Sequence, residues 1–193
     1  GSDGAGSIRM PAHFSGVYGL KPSFGRVPNW PVRNNDQSSH SGPMTRTVAD
    51  SALMLEVMSG PHNWDHYSLE APPQNYGAQL AEGVAGLRVA YSPDLGHAKV
   101  DPDIARLTED AAKTFSDMGA HVEEISPAWG PQGADLIRYF WSVHELALEP
   151  LLGKWEAQMD PGLVACIRSA QASTASEYIA MRGRKIDYVE AIH

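Results

Sequence analysis

The chain has 193 residues, long enough for one domain with a sizeable core, and its 42% hydrophobic and 20% charged residues exclude wholesale disorder. A formal net charge of −8 without any basic stripe argues against direct binding to a nucleic-acid backbone. A single cysteine, Cys166, excludes an internal disulfide framework and fits a reducing cytoplasm, and no apolar run approaches the ~20 residues that a membrane span needs.

Residues 1–28 read GSDGAGSIRMPAHFSGVYGLKPSFGRVP. Gly4, Ala5 and Gly6 carry almost no side chain, so their N–H groups can converge on one point beside the Ser7 hydroxyl. Acyl transfer needs that combination: a nucleophile, and donors aimed at the oxyanion it creates. Asp3 and Arg9 flank the loop with opposite charge, and a bridge between them would pin its shape; a solvated pair would do little. A Walker loop is a weaker reading because Ile8 and Arg9 follow Gly6-Ser7, and a hydrolase elbow fails because Arg9 stands where its second glycine belongs. On local chemistry alone, a structural Gly-Ser turn is an equal reading.

Residues 1–45, rich in Gly, Ser, Pro and Asn, predict tight turns and short elements. Thr47 to Gly60 predicts the first long helix, with Thr47 and Asp50 as a capping pair and Val48, Ala52, Leu55 and Met58 as its apolar stripe. A polar connector follows over 61–83. Leu87–Ser92 and His121–Ile125 read as strands around a helix that Asp101-Pro102 starts, and Ile104, Leu107, Ala111 and Phe115 carry its stripe. That spacing predicts a parallel βαβ unit and hence the α/β class. Helices are predicted over about 133–149, from the Asp160-Pro161 cap, and from about Ser176 onward. Cys166, after Leu163, Val164 and Ala165, reads as a buried small hydrophobe.

Three ordered blocks, GSDGAGSIRMPA, FSGVYGLKPSFGRVP and SGPMTRTVADSALML at 41–55, resemble the amidase signature family over roughly the first third of the chain. The resemblance implies an α/β/α sandwich around a mixed sheet. It also implies a serine hydrolase without a catalytic histidine. Ser7 matches the serine that attacks the amide carbonyl, and the N–H groups of Gly4, Ala5, Gly6 and Ser7 match the oxyanion hole. A relay serine and a neutral lysine base, whose charge burial disfavours, complete the family's machinery. Both lie upstream of this motif, outside residues 1–193.

The chain is therefore expected to be one incomplete amidase domain, truncated at both ends. Its parts are the nucleophile motif at 1–28, the helix and connector at 45–83, the strand–helix–strand at 87–125 and the helical segment at 133–193. Little turnover is expected from it alone. Lys21, in GLKPS, matches a scaffold position rather than the base. His13 and His40 lie near the motif, but nothing in the sequence fixes either against Ser7. His62 and His66 have metal-site spacing in a connector where helix is doubtful, so no metal or cofactor is expected. Tyr139, Phe140, Trp141 and Trp155 read first as core, second as a pocket lining.

The expected partner is a small-molecule amide, with a homodimer of the full-length parent left open. Three functions remain: an amidase releasing a carboxylic acid and ammonia or an amine; the glutaminase subunit of a tRNA-dependent amidotransferase; and a structural module that has lost catalysis. The segment NWPVRNNDQSSH at 29–40 leans toward the general amidases.

Overall fold

Glycine, serine and proline dominate the start of the chain, and there the computed structural model shows two-residue strands tied by turns. It describes residues 1–32, 38–71 and 75–193. They divide into two units, Gly1–Glu82 and Gly83–His193.

In the first unit, β1 (Ser2–Asp3) pairs antiparallel with β3 (His40–Ser41), in the register Ser2 to Ser41 and Asp3 to His40. β2 (Tyr18–Gly19) pairs antiparallel with β4 (Met44–Thr45). Between β1 and β2 runs α1 (Arg9–Ser15), closed by a bond from the Val17 N–H to the Ala12 carbonyl at 3.0 Å. Gly42 sits where a Cβ would strike the Leu20 carbonyl and the Pro22 ring, so only glycine lets this segment run so close.

α2 (Val48–Met58) begins as the sequence predicts: the Thr47 hydroxyl accepts the Asp50 N–H at 3.1 Å. Its buried residues are Ser51, Ala52 and Leu55; Val48, expected in the stripe, is instead exposed. The expected polar connector does not simply lie in solvent. Asp65 is buried within it and accepts the N–H groups of Asn29 at 2.8 Å and Tyr67 at 3.0 Å. Ile8, Ala12, Val27, Ala52 and Leu55 form the apolar core of this unit.

In the second unit, β5 (Arg88–Tyr91) and β6 (His121–Glu124) pair in parallel around α3 (Pro102–Asp117), which matches the predicted βαβ unit. Asp101 caps α3 by accepting the Asp103 N–H at 2.9 Å, with Pro102 in the first turn. No residue of α3 is buried, so its predicted stripe of Ile104, Leu107 and Phe115 stays partly open. α4 (Gln132–Glu145) ends earlier than expected, and a 3₁₀ segment containing Pro150 covers Leu146–Leu151. α5 (Leu152–Trp155), α6 (Pro161–Gln171) and α7 (Ala175–Ile192) complete the chain.

α4 packs on α6 and α7. Leu136, Leu152, Ile167 and Ala170 are the buried apolar residues there. Phe140 meets Tyr139 and Tyr178 edge-on at 5.4 and 6.0 Å, which ties α4 to α7. Trp155 remains exposed beside the Lys154 ammonium, and Cys166 is half-buried rather than buried. The described strands form three two-stranded sheets, two antiparallel and one parallel. No described helix is long and apolar enough to cross a membrane.

Candidate active site

The loop from Asp3 to Arg9 links β1 to α1, and one carboxylate organises it. Asp3 is fully buried. Its Oδ1 accepts the Gly6 N–H at 2.6 Å, and its Oδ2 accepts the N–H groups of Ile8 and Arg9 at 3.2 and 3.4 Å. The Arg9 guanidinium closes the arrangement with two further bonds, from Nε to Oδ2 and from an Nη to Oδ1, each 2.9 Å. The bridge suggested by the opposite charges is therefore present and bidentate, the geometry in which an arginine–carboxylate pair is strongest.

Such bonding favours the ionised carboxylate. The Arg9 guanidinium holds the Asp3 carboxyl well below the usual carboxylate range; burial opposes this, and the backbone bonds from Gly6, Ile8 and Arg9 add to the lowering. Asp3 in turn raises the Arg9 pKa.

Gly6 departs from its predicted role. Its N–H points at the Asp3 carboxylate rather than into open space, because the backbone turns there with φ of +122°, a conformation that favours glycine. A side chain would also crowd Met10. The Gly6 amide thus shapes the loop, and the set of candidate oxyanion donors shrinks to Gly4, Ala5 and Ser7. Among the described residues, the amides of those three find no acceptor, and none lies in a strand ladder. Ser7 is exposed, and its hydroxyl makes no hydrogen bond among the described residues. Ile8, fully buried behind it, anchors the loop in the core.

The other sequence candidates fall in different places. Lys21 donates from Nζ to the Pro22 carbonyl at 3.0 Å. Burial lowers its pKa and the positive charge of Arg9 adds to the effect, with Asp3 opposing. His13 is exposed on α1, edge-on to Phe14. His62 and His66 lie in turns, where His66 stacks on Tyr67 at 4.1 Å. No group of three His, Cys, Asp or Glu side chains suited to a metal ion occurs among the described residues.

The placement of His40 opposite Asp3 and the buried role of Asp65 are what sequence reasoning did not give. β3 brings His40 opposite Asp3, and its Nδ1 lies 3.2 Å from the Asp3 carbonyl oxygen. Asp65 holds Asn29, whose Oδ1 accepts the Ser41 hydroxyl at 2.7 Å, so β3 is tied to the connector. The pairing of Asp65 with Asn29 has no local signal in the sequence.

Comparison with known proteins gives the family. The family model described as Amidase matches residues 1–184. An acylamidase of Rhodococcus erythropolis is 40% identical over 178 residues, covering 90% of this chain and 37% of the relative. A glutamyl-tRNA(Gln) amidotransferase subunit from Ligilactobacillus salivarius is 43% identical over 129 residues, 65% of this chain and 26% of the relative. The crystal structure of a bacterial aryl acylamidase of the amidase signature enzymes superposes with a TM-score of 0.87 at 28% identity, over 100% of this chain and 42% of that one. The chain thus spans well under half the length of these relatives. The segment at 29–40, whose resemblance leans toward the general amidases, lies partly outside the described residues.

Proposed function

This chain belongs to the amidase family, and from that premise we propose that the full-length protein hydrolyses a linear amide C–N bond through an acyl-enzyme on Ser7. The observation that carries the reading is an exposed Ser7 hydroxyl that, like the amides of Gly4, Ala5 and Ser7, makes no hydrogen bond among the described residues, in a loop held by the buried Asp3. Ser7 Oγ attacks the carbonyl carbon, its proton passes to a base, and the amides receive the negative oxygen. Collapse expels the amine or ammonia with a proton, and water then releases the carboxylic acid. One well-placed oxyanion donor is worth about 2.7–4 kcal/mol at the transition state.

The base and relay serine that the family resemblance implies lie outside residues 1–193, so this stretch by itself is expected to turn over little amide. Asp3 and Arg9 act behind the reacting atoms and keep the loop in shape. The acylamidase relative, alike over most of the chain, favours a general acylamide substrate; the amidotransferase relative is alike over a shorter stretch. The single cysteine suits a cytoplasmic protein.

The test uses the full-length protein with an aryl acylamide. Ser7→Ala is expected to lower kcat by about 10³-fold or more, and mass spectrometry of a slow substrate should find the acyl group on Ser7. Undiminished turnover by Ser7→Ala sinks the reading. Glutaminase activity that appears only with a partner subunit points to the amidotransferase instead.

A further inference from the structure

We propose that Met10 is a specificity-determining residue, the apolar wall on which the acyl part of the amide rests while it is bonded to Ser7; the inference rests on the acyl-transfer reading of Ser7. The Met10 N–H donates to the Gly6 carbonyl at 2.7 Å, so Met10 stands one turn past Gly6 at the start of α1. Side chains in a helical turn lean toward its N-terminal end, over the residues three and four places earlier. For Met10 those are Ser7 and Gly6. The contact follows that lean: a Cβ built on Gly6 would stand 3.0 Å from Met10 Cε, 3.2 Å from Cγ and 3.4 Å from Sδ. The thioether is therefore laid across Gly6, which is buried, while Met10 itself stays 53% exposed. Neighbouring Cα atoms are about 3.8 Å apart, so a group bonded to Ser7 Oγ has this thioether within van der Waals reach.

The other residues around Ser7 offer no such surface. Gly4 and Ala5 carry at most a methyl group, Ile8 is fully buried, and Arg9 turns its guanidinium to Asp3. Within three residues of Ser7 on either side, Met10 is thus the one large apolar side chain that solvent reaches.

The order along the loop assigns the two ends of the reacting group. The amides of Gly4 and Ala5, which take the negative oxygen, precede Ser7, and Met10 follows it. With the oxygen held on the first side, the acyl chain extends toward the second. That chain stays on Ser7 Oγ after the amine has left, so a wall beside it serves both acylation and deacylation. A thioether is unbranched, polarisable and adaptable, which suits unbranched or flat apolar acyl chains of different lengths. A charged chain would lose water against it and gain no partner from the sulfur.

In the full-length protein, anilides that differ only in the acyl chain, from acetyl to hexanoyl, measure the wall. kcat/KM of the unaltered protein should rise with chain length. Met10→Ala and Met10→Gln should each lower the ratio of hexanoyl to acetyl anilide by about 5–20-fold. Met10→Leu keeps the volume and the apolar surface and should retain most of the ratio. A second series, with one acyl group on different amines, should give the same ratios in every variant. With ¹³C-labelled methionine methyl groups, the acyl-enzyme trapped from a slow hexanoyl substrate should show a nuclear Overhauser contact between Met10 Cε and the acyl chain.

An unchanged hexanoyl-to-acetyl ratio in the Ala and Gln variants, even with a lower overall rate, would overturn the role of Met10 and leave Ser7 untouched. A shift confined to the amine series, or an acyl-enzyme without the Overhauser contact, would do the same. Absence of an acyl group on Ser7 in the unaltered protein would overturn both readings. The NMR measurement uses the unaltered protein and decides the contact even if a variant fails to fold.

Discussion

The two units solve the same problem, what to do with backbone polar groups, in opposite ways. The second unit is mostly helical, so most of its amides are satisfied within its own elements, and side chains serve at helix ends, where Asp101, Asp160 and Thr174 each cap one helix, and in the turn where Ser92 and Asp94 accept the Leu95 and Gly96 N–H groups. The first unit is built of two-residue strands and turns, which leave many amides unpaired. Buried polar side chains take them up, and Asp3 and Asp65 together accept five backbone N–H groups. Of the five buried polar residues among those described, four (Asp3, Ser39, Ser51 and Asp65) belong to the first unit. The lesson is that irregular backbone leaves its amides for side chains to satisfy, and in the first unit two buried carboxylates take up that task.

If that contrast is right, the most damaging change in the first unit is polar. Asp3→Ala strips the acceptor from the amides of Gly6, Ile8 and Arg9 and leaves the Arg9 guanidinium without its partner. A loss of about 4 kcal/mol is expected, set mainly by the unpaired amides because Arg9 can turn to water. Trp30 and Trp64 lie in the first unit, so fluorescence of variants retaining only those two tryptophans reads its urea midpoint.

The same residue predicts an acid limb. The folded pKa of Asp3 lies below that of the unfolded chain, so its contribution is complete above about pH 4 and declines as the pH falls from there through the depressed folded value. Asp3→Ala should flatten that part of the pH–stability curve. A curve of unchanged slope would mean that Asp3 does not organise the loop.

In the second unit the corresponding change is apolar. Ile167 on α6 is fully buried where that helix meets α4, and Ile167→Ala should cost about 3 kcal/mol through lost transfer energy and the cavity left behind. Trp129, Trp141 and Trp155 report on this unit. A cost below about 1 kcal/mol would show that the helices collapse onto the gap, and the contrast between the units would weaken.

What could be read from the sequence follows the same division. The pairs Thr47 with Asp50, Asp101 with Pro102 and Asp160 with Pro161 were legible because a cap bonds two or three residues along the chain. The parallel strands around α3 were legible because their periods and spacing admit few arrangements. Asp3 and Arg9 were legible because six residues separate two opposite charges. His40 and Asp65 were not. Their partners Asp3 and Asn29 lie 37 and 36 residues away, and a loop histidine or aspartate with a distant partner looks like a solvated one. Gly6 was recognised as small, but composition does not say which way its N–H points; a φ of +122° and the nearby carboxylate decide that.

A smaller effect is expected at the caps. Asp160→Ala removes the acceptor of the Leu163 N–H at 3.0 Å and should destabilise the second unit by about 1 kcal/mol, leaving the first unit's midpoint unchanged. Movement of both midpoints together would show that the two units unfold as one, and would remove the basis for reading them separately.

The smallest effect sharpens the contrast because it keeps the chemistry and changes the setting. Arg106 on α3 lies 3.6 Å from Asp110, an i,i+4 pair between two exposed side chains. Arg9 and Asp3 are also an arginine–aspartate pair, but there the carboxylate is fully buried, accepts three amides and is gripped by two guanidinium nitrogens. Arg106→Gln should leave the second unit's urea midpoint unchanged within error, since side-chain entropy and water offset an exposed pair. Arg9→Gln should lower the first unit's midpoint measurably. Salt separates them further: raising it to 1 M screens the contact on α3, whereas a carboxylate held by backbone amides responds far less. Equal responses of Arg9→Gln and Arg106→Gln would mean that the Asp3 loop is held by its amides alone, with the guanidinium only an onlooker.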